Sequence, residues 1–275
     1  MPTYVHAGLT FEYSDDGPAD GPVVIALHGF PVDRTSWSGI TAALVAAGYR
    51  VLAPDQRGYS PGARPRGRRA YTLDLLAGDV LALADQAGAA TVDVVGHDWG
   101  AAIAWYLAAV HPDRVRTLSA LSVPHTSAFK QALKTRQALR SWYILMFQLP
   151  WLPERFVSSG NGDAFRKELL SAGVSAEIAA RYGSRLAHPP DLTGPINWYR
   201  AIPFRIRDHV PPVTVPTLFV WSDGDPYITR HTAELCGRWV TGPYRFEILT
   251  GISHWIPECA PERTAELILE QLGSA

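Results

Sequence analysis

Short hydrophobic runs, each ended by turn residues, recur along the first half of the chain and again near its end. The runs at 23–27 and 49–53 are apolar at nearly every position rather than at alternate ones. Such runs predict strands that are covered on both faces, as in a parallel sheet. Runs of the same kind follow at 92–95, 117–123, 217–221 and 246–249.

The apolar positions between these runs have a helical spacing. Leu73, Leu76, Val80, Leu83 and Ala87 recur every three or four residues and would form one buried stripe along a helix. Regular alternation of strand and helix patterns is typical of a doubly wound sheet. We therefore predict an α/β fold built on a mostly parallel sheet.

The alternation stops after Val123-Pro124. From 125 to 210 there is no strand-like run, and helical segments rich in aromatic residues and arginine are separated by prolines and glycines. The strand pattern resumes after Pro211-Pro212. We interpret 125–210 as a helical cap, or lid, domain inserted into a single core domain formed by 1–124 and 211–275.

Composition narrows the class of protein. The net charge is −1, and the arginine cluster at 64–69 lies among prolines and glycines, which favours a solvated loop over a nucleic-acid surface. Cys236 and Cys259 lack C-x-x-C spacing and are predicted to be free thiols. No signal peptide is recognisable, and no apolar stretch reaches the roughly 18 residues of a membrane helix. A cytoplasmic protein without a membrane partner is predicted.

The strand at 92–95 leads into the pattern G-x-D-x-G at 96–100, where many serine hydrolases have G-x-S-x-G. The glycines permit a sharp turn that raises the central side chain above the sheet. A carboxylate is already ionised at neutral pH, so it can attack an electrophilic carbon and form an ester without activation by a base. Asp98 is the predicted nucleophile, and the alternative is that it only caps the following helix.

Hydrolysis of such an ester requires a base that activates water and a group that orients the base. His254 follows the last predicted strand, and Asp225 follows the strand at 217–221. Because ligands bind at the strand ends of open α/β sheets, we expect both side chains to converge on Asp98. Asp223 is the alternative acid, since it lies in the same turn.

A donor pair for the oxyanion of ester hydrolysis is also predicted. The sequence His28-Gly29-Phe30-Pro31 directly follows the first predicted strand. The backbone N–H groups of Phe30 and Trp99 are the candidates, because preorganised N–H donors stabilise such an oxyanion.

Four motifs together resemble the epoxide hydrolases of the α/β-hydrolase fold: HGFP at 28–31, DQRGYS at 55–60, GHDWG at 96–100 and SHW at 253–255. They span nearly the whole predicted core. The resemblance implies an α/β-hydrolase fold and a hydrolase acting on ether bonds, which would convert a small-molecule epoxide into a vicinal diol. It implies no metal or organic cofactor, and the sequence has no P-loop or H-E-x-x-H signature.

The resemblance also implies two tyrosines in the cap that bind the epoxide oxygen. The segment at 142–150 matches the family at Tyr143, and the segment at 197–200 matches it at Tyr199. A tyrosine is suited to this role because its hydroxyl stays protonated at neutral pH. Trp142, Phe147 and Trp198 are predicted to line the substrate pocket. Trp142 departs from the family pattern and is expected to narrow the pocket.

Two alternatives stay open. Haloalkane and haloacid dehalogenases with an aspartate nucleophile share the D-W-G element and use N–H donors to bind halide, which here would come from Trp99 and from Trp142 or Trp198. The other alternative is a protein that retains the fold and binds a ligand without catalysis.

A second departure from the family pattern lies in the helix after the nucleophile. It reads Gly100-Ala101-Ala102, where many relatives have another glycine.

Overall fold

The computed structural model describes residues 1–205 and 209–274, and within them the predicted α/β architecture is confirmed. The strands of these residues are β1 (Thr3–His6), β2 (Leu9–Asp16), β3 (Val23–Leu27), β4 (Arg50–Pro54), β5 (Val92–His97), β6 (Val115–Leu121), β7 (Thr217–Ser222) and β8 (Tyr244–Leu249). They form one sheet in the order β1-β2-β4-β3-β5-β6-β7-β8. β1 pairs antiparallel with β2, β2 pairs antiparallel with β4, and the neighbouring strands from β3 to β8 pair parallel.

Helices connect the strands and cover the sheet. In the described parts of the chain they are α1 (Ser38–Ala46), α2 (Leu73–Gln86), α3 (Trp99–Val110), α4 (Thr126–Ala132), α5 (Gln137–Arg140), α6 (Trp142–Met146), α7 (Leu152–Val157), α8 (Asp163–Ser171), α9 (Ala176–Arg185), α10 (Pro189–Arg205), α11 (Arg230–Glu234), α12 (Ile256–Cys259) and α13 (Pro261–Gly273). None of the helices in these described residues is long and apolar enough to cross a bilayer.

The strands β3 to β7 are buried on both faces, which explains their continuous apolar runs. In β3, Ile25 and Leu27 point to the cluster that contains the apolar stripes of α2 and α3. Val24 and Ala26 alternate with them and point to a second cluster that contains α1 and α13. Because successive side chains of a strand face opposite sides, a strand between two helical layers is apolar throughout.

A helical insertion lies between β6 and β7, where the strand pattern of the sequence stops. It comprises helices α4 to α10, and we call these helices and their connections the insertion. Gly58 of the core has a φ of 95° and packs against Gly194 of α10, where a Cβ would lie 2.6 Å from the Gly58 Cα. Residues 206–208 of the predicted cap and residue 275 of the predicted core lie outside the described residues. The domain boundaries at 125 and 210 stay predictions.

Candidate active site

The nucleophile candidate occupies a tight turn at the carboxyl edge of the sheet. β5 ends at His97 and α3 begins at Trp99, so Asp98 is the single residue between them. The Asp98 φ of 52° is a positive value, which residues other than glycine rarely adopt. A Cβ on Gly96 or Gly100 would overlap neighbouring backbone atoms. The two glycines therefore permit the close packing that raises Asp98 above the sheet.

The Asp98 carboxylate contacts two other parts of the core. Its Oδ1 accepts a hydrogen bond of 2.8 Å from the Phe30 N–H, and its Oδ2 lies 3.4 Å from His254 Nε2. Gly29 leaves room for it, because a Cβ there would lie 2.5 Å from Asp98 Oδ1. Within the described residues, the Asp98 side chain makes no capping hydrogen bond to α3, so the helix-cap alternative is wrong.

Asp98 is ionised at neutral pH. Burial alone would raise the pKa of this carboxyl group. The hydrogen bond and charge of His254, together with the Phe30 N–H, outweigh burial and lower the pKa below its usual value. The carboxylate is thus available as a nucleophile without removal of a proton.

His254 and Asp225 form a hydrogen-bonded pair beside Asp98. His254 Nδ1 lies 2.7 Å from Asp225 Oδ2, and Asp225 Oδ1 accepts the backbone N–H groups of Tyr227 at 2.7 Å and Ile228 at 2.9 Å. Burial disfavours protonation of His254, but the charges of Asp225 and Asp98 outweigh it and raise the pKa to about 10. The geometry is that of a nucleophile, a base and an acid that orients the base.

Asp223 is directed away from this pair. Its Oδ1 accepts a 2.7 Å hydrogen bond from the Gly251 N–H, and its side chain is exposed. Asp223 therefore stabilises the turn between β8 and His254, while the carboxylate that contacts the His254 ring is that of Asp225.

The DQRGYS motif holds the HGFP loop, whose Phe30 N–H donates to Asp98. Gln56 Nε2 donates to the His28 carbonyl at 2.6 Å, and the Gln56 N–H donates to His28 Nε2 at 3.2 Å. Arg57 makes two 2.7 Å hydrogen bonds to the carboxylate of Asp79, and both side chains are buried. The DQRGYS loop therefore anchors the HGFP loop and holds the Phe30 N–H toward the nucleophile.

A cavity of about 400 Å³ lies between the core and the insertion and contains Asp98. Its lining is mainly apolar and includes Tyr143 of α6 and Tyr199 of α10. The two tyrosine rings lie 6.0 Å apart. Tyr199 also packs edge-on against Phe30 at 5.3 Å and Trp99 at 5.0 Å. The cavity thus brings both predicted tyrosines to the nucleophile.

Both tyrosines remain protonated over a wide pH range. Burial raises the pKa of Tyr143 and of Tyr199, and the negative charge of Asp98 raises each pKa further. Each hydroxyl can therefore donate a hydrogen bond to a basic oxygen in the cavity.

The three aromatic residues predicted for the pocket lie in different places. Trp198 lines the cavity, and its indole N–H donates to the Arg57 carbonyl at 2.8 Å. Phe147 is buried beside the cavity, with its ring 4.7 Å from that of Tyr199. Trp142 is 60% exposed and does not line the cavity, so the expectation that it narrows the pocket is wrong.

Several contacts of the site were missed in the sequence. His97 Nε2 and Ser122 Oγ both donate to the His254 carbonyl, at 2.9 and 2.8 Å. Burial lowers the pKa of His97 to about 4, so this ring is neutral. The Tyr227 ring lies 4.9 Å from that of His254, and its hydroxyl donates to Glu168 of α8. Proximity to Asp98 and Asp225 in the sequence is the only signal that could have identified His97 and Tyr227.

Comparisons with known proteins agree with this fold. Residues 22–166 match the family described as alpha/beta hydrolase fold. The chain is 36% identical to AB hydrolase superfamily protein YfhM of Bacillus subtilis, over 96% of this chain and 95% of that protein. It is 34% identical to epoxide hydrolase 4 of Homo sapiens, over 95% of this chain and 75% of that protein. The crystal structure of epoxide hydrolase A from Mycobacterium thermoresistibile superposes with a TM-score of 0.86 and 28% identity, covering 99% and 97% of the two chains.

Proposed function

This chain belongs to the epoxide hydrolase family of the α/β-hydrolase fold, and from that we propose that it hydrolyses an epoxide to a vicinal diol. The observation that carries the proposal is that one apolar cavity contains an ionised Asp98 and two protonated tyrosines, Tyr143 and Tyr199. A carboxylate supplies the nucleophile for an epoxide carbon. The tyrosines supply the proton that the oxygen of the opened ring requires.

In the first step, Tyr143 and Tyr199 donate hydrogen bonds to the epoxide oxygen while an oxygen of Asp98 attacks a ring carbon. A carbon–oxygen bond to Asp98 forms as the ring carbon–oxygen bond breaks, and the alkoxide takes a proton from a tyrosine. Alkylation removes the charge of Asp98, which is one of the two charges that raise the pKa of His254. Loss of a proton from the His254 imidazolium then restores the tyrosine.

In the second step, neutral His254 takes a proton from water, and the water oxygen attacks the ester carbon of Asp98. The resulting oxyanion lies against the Phe30 N–H, which already contacts Asp98 Oδ1, and against the Trp99 N–H in the first turn of α3. Collapse of this intermediate breaks the bond to the diol oxygen, which takes the remaining proton of the added water, so that the carboxylate returns and His254 keeps the first proton. Asp225 keeps the imidazole in the orientation and tautomer that the step requires.

The dehalogenase alternative has less support from the geometry. A halide would need N–H donors, and the Trp198 indole is already hydrogen-bonded to a core carbonyl. Trp142 is exposed on the surface, so of the predicted donors only Trp99 lies beside Asp98 without such a competing contact to the backbone.

The proposal is tested by incubating the purified protein with styrene oxide and, in parallel, with a haloalkane and a haloacetate. We expect diol from the epoxide and no halide from the other substrates. Halide release without diol would contradict the proposal and show that the protein is a dehalogenase. Tight epoxide binding without turnover would instead support a ligand-binding protein.

Replacing either tyrosine is expected to slow ester formation. Tyr143→Phe and Tyr199→Phe should each lower the rate about 10- to 100-fold, and the double variant should lose most of the general-acid contribution of about 10²- to 10⁴-fold. Stopped-flow fluorescence and quenched-flow mass spectrometry measure this step. Tyr13→Phe, which alters a buried tyrosine of β2, is the matched control and should retain the rate. Unchanged ester formation in the double variant would remove both tyrosines from the mechanism.

The two chemical steps are expected to respond differently to pH. The lowered pKa of Asp98 and the raised pKa values of both tyrosines keep ester formation nearly constant from about pH 6 to about pH 9. Ester hydrolysis needs neutral His254, whose pKa is raised, so its rate should increase with pH up to the pKa of His254 in the ester. Reactions are quenched at the two ends of this range, about pH 6 and about pH 9, and their mass spectra should contain more ester at the lower pH. A hydrolysis rate that falls as the pH rises would contradict this assignment of the base.

A further inference from the structure

The insertion contacts the core at the loop that carries Asp225. Gln137 of α5 has a fully buried side chain, and its amide makes three hydrogen bonds to this loop and the helix that follows it. Gln137 Nε2 donates to the Tyr227 carbonyl at 2.7 Å. Its Oε1 accepts the Thr229 N–H at 2.9 Å and the Thr232 hydroxyl at 2.8 Å. The amino group and the carbonyl oxygen of this amide thus bind the same stretch of the core, from Tyr227 to Thr232.

Arg140 extends this contact from the last position of α5. Its Nη1 donates to the carbonyl of Asp225 at 2.7 Å and, at 3.3 Å, to the carbonyl of Ile228. Unlike Gln137, Arg140 is an exposed residue. A charged guanidinium makes stronger hydrogen bonds to carbonyl oxygens than a neutral donor does.

The residues held by the insertion are the residues that hold the Asp225 carboxylate. Tyr227 and Ile228 each donate a backbone N–H to Asp225 Oδ1. Gln137 binds the Tyr227 carbonyl, and Arg140 binds the Ile228 carbonyl. Displacement of either residue would move an N–H donor away from Asp225 and change the direction in which Oδ2 meets His254.

From this we infer that Gln137 and Arg140 are positioning residues, which fix Asp225 against His254 from outside the core. The inference rests on the proposed function for its effect on turnover. Because Asp225 acts through His254, and His254 acts as the base in ester hydrolysis, loss of these contacts should affect the second chemical step and spare the first. The insertion would then contribute to the hydrolytic machinery as well as to the substrate cavity.

The test compares the two steps in single turnovers with styrene oxide. Gln137→Met keeps the length of the side chain and removes its hydrogen bonds. Arg140→Ala removes the guanidinium and its two hydrogen bonds at an exposed position where folding is not endangered. We expect each variant to slow ester decay about tenfold or more while ester formation stays within about twofold of the unaltered enzyme. Ser127→Ala is the matched control, because it removes another buried hydrogen bond made by the insertion, from Ser127 Oγ in α4 to the Val210 carbonyl.

A spectroscopic measurement tests the same inference without a substrate. A proton shared between His254 Nδ1 and Asp225 Oδ2 gives a far-downfield ¹H resonance, which we expect to shift or broaden in Gln137→Met and Arg140→Ala and to be unchanged in Ser127→Ala. An unaltered resonance in both variants, or equal slowing of both steps, would overturn the inference. If the unaltered enzyme forms no ester, the proposed function fails, and the resonance still decides whether these residues position Asp225.

Discussion

Replacing Asp98 by alanine is expected to abolish the covalent ester and to lower diol formation by about 10⁴-fold or more, as for other enzymes that lose their nucleophile. The remaining groups would still bind the epoxide oxygen, but no other carboxylate in the described part of the cavity contacts both the Phe30 N–H and His254. Intact-mass spectrometry of the quenched reaction, together with diol analysis, measures both effects.

The matched control for this substitution is Asp223→Asn, which alters an exposed aspartate of the neighbouring turn and keeps an acceptor for the Gly251 N–H. It should retain activity. Alanine is preferred to asparagine at position 98, because an asparagine there can deamidate back to aspartate. In a single turnover in ¹⁸O-labelled water, the first diol should carry an oxygen from Asp98 and the label should enter the carboxylate. Label found directly in that first diol would contradict the covalent route.

The central part of the sheet could be predicted because β3 to β7 are buried on both faces and are therefore apolar at nearly every position. β5 and β7 begin at the predicted residues and extend slightly further. The antiparallel pair β1 and β2 was not predicted, because this edge of the sheet is only partly covered. Along β1 the side chains alternate between exposed and buried, and such a short polar strand carries little signal in the sequence.

The candidate site could be predicted as far as it depends on positions at strand ends. Asp98, Asp225 and His254 each follow a parallel strand, and parallel strands bring their carboxyl ends to one edge of the sheet. The orientation of side chains in the insertion could not be predicted in the same way. α6 has only five residues, so a single helical turn decides that Tyr143 faces the cavity while Trp142 faces solvent. The contacts of Gln137 with Thr229 and Thr232 join residues more than ninety positions apart, and no local pattern records them.

Replacing His254 by glutamine is expected to trap the ester that the Asp98 variant cannot form. Without the base, ester hydrolysis should slow by about 10²- to 10⁴-fold, while ester formation continues. The substitution also affects the pKa of Asp98, and this effect determines the pH at which the variant should be measured. Since His254 is the main group that lowers the pKa of Asp98, its loss lets burial raise that pKa, so ester formation should be measured at mildly alkaline pH.

The mass spectrum of the His254→Gln variant after incubation with styrene oxide should contain the protein plus one epoxide in near-stoichiometric amount, on a peptide that includes Asp98. His231→Gln, at an exposed position of α11, is the matched control and should release diol without accumulating ester. Substitution of Asp98 stops the first step and substitution of His254 stops the second. The reason is that Asp98 reacts as the carboxylate that His254 stabilises, and His254 acts as a base only after the charge of Asp98 is lost. A His254→Gln enzyme that turns over normally would show that another group activates the water.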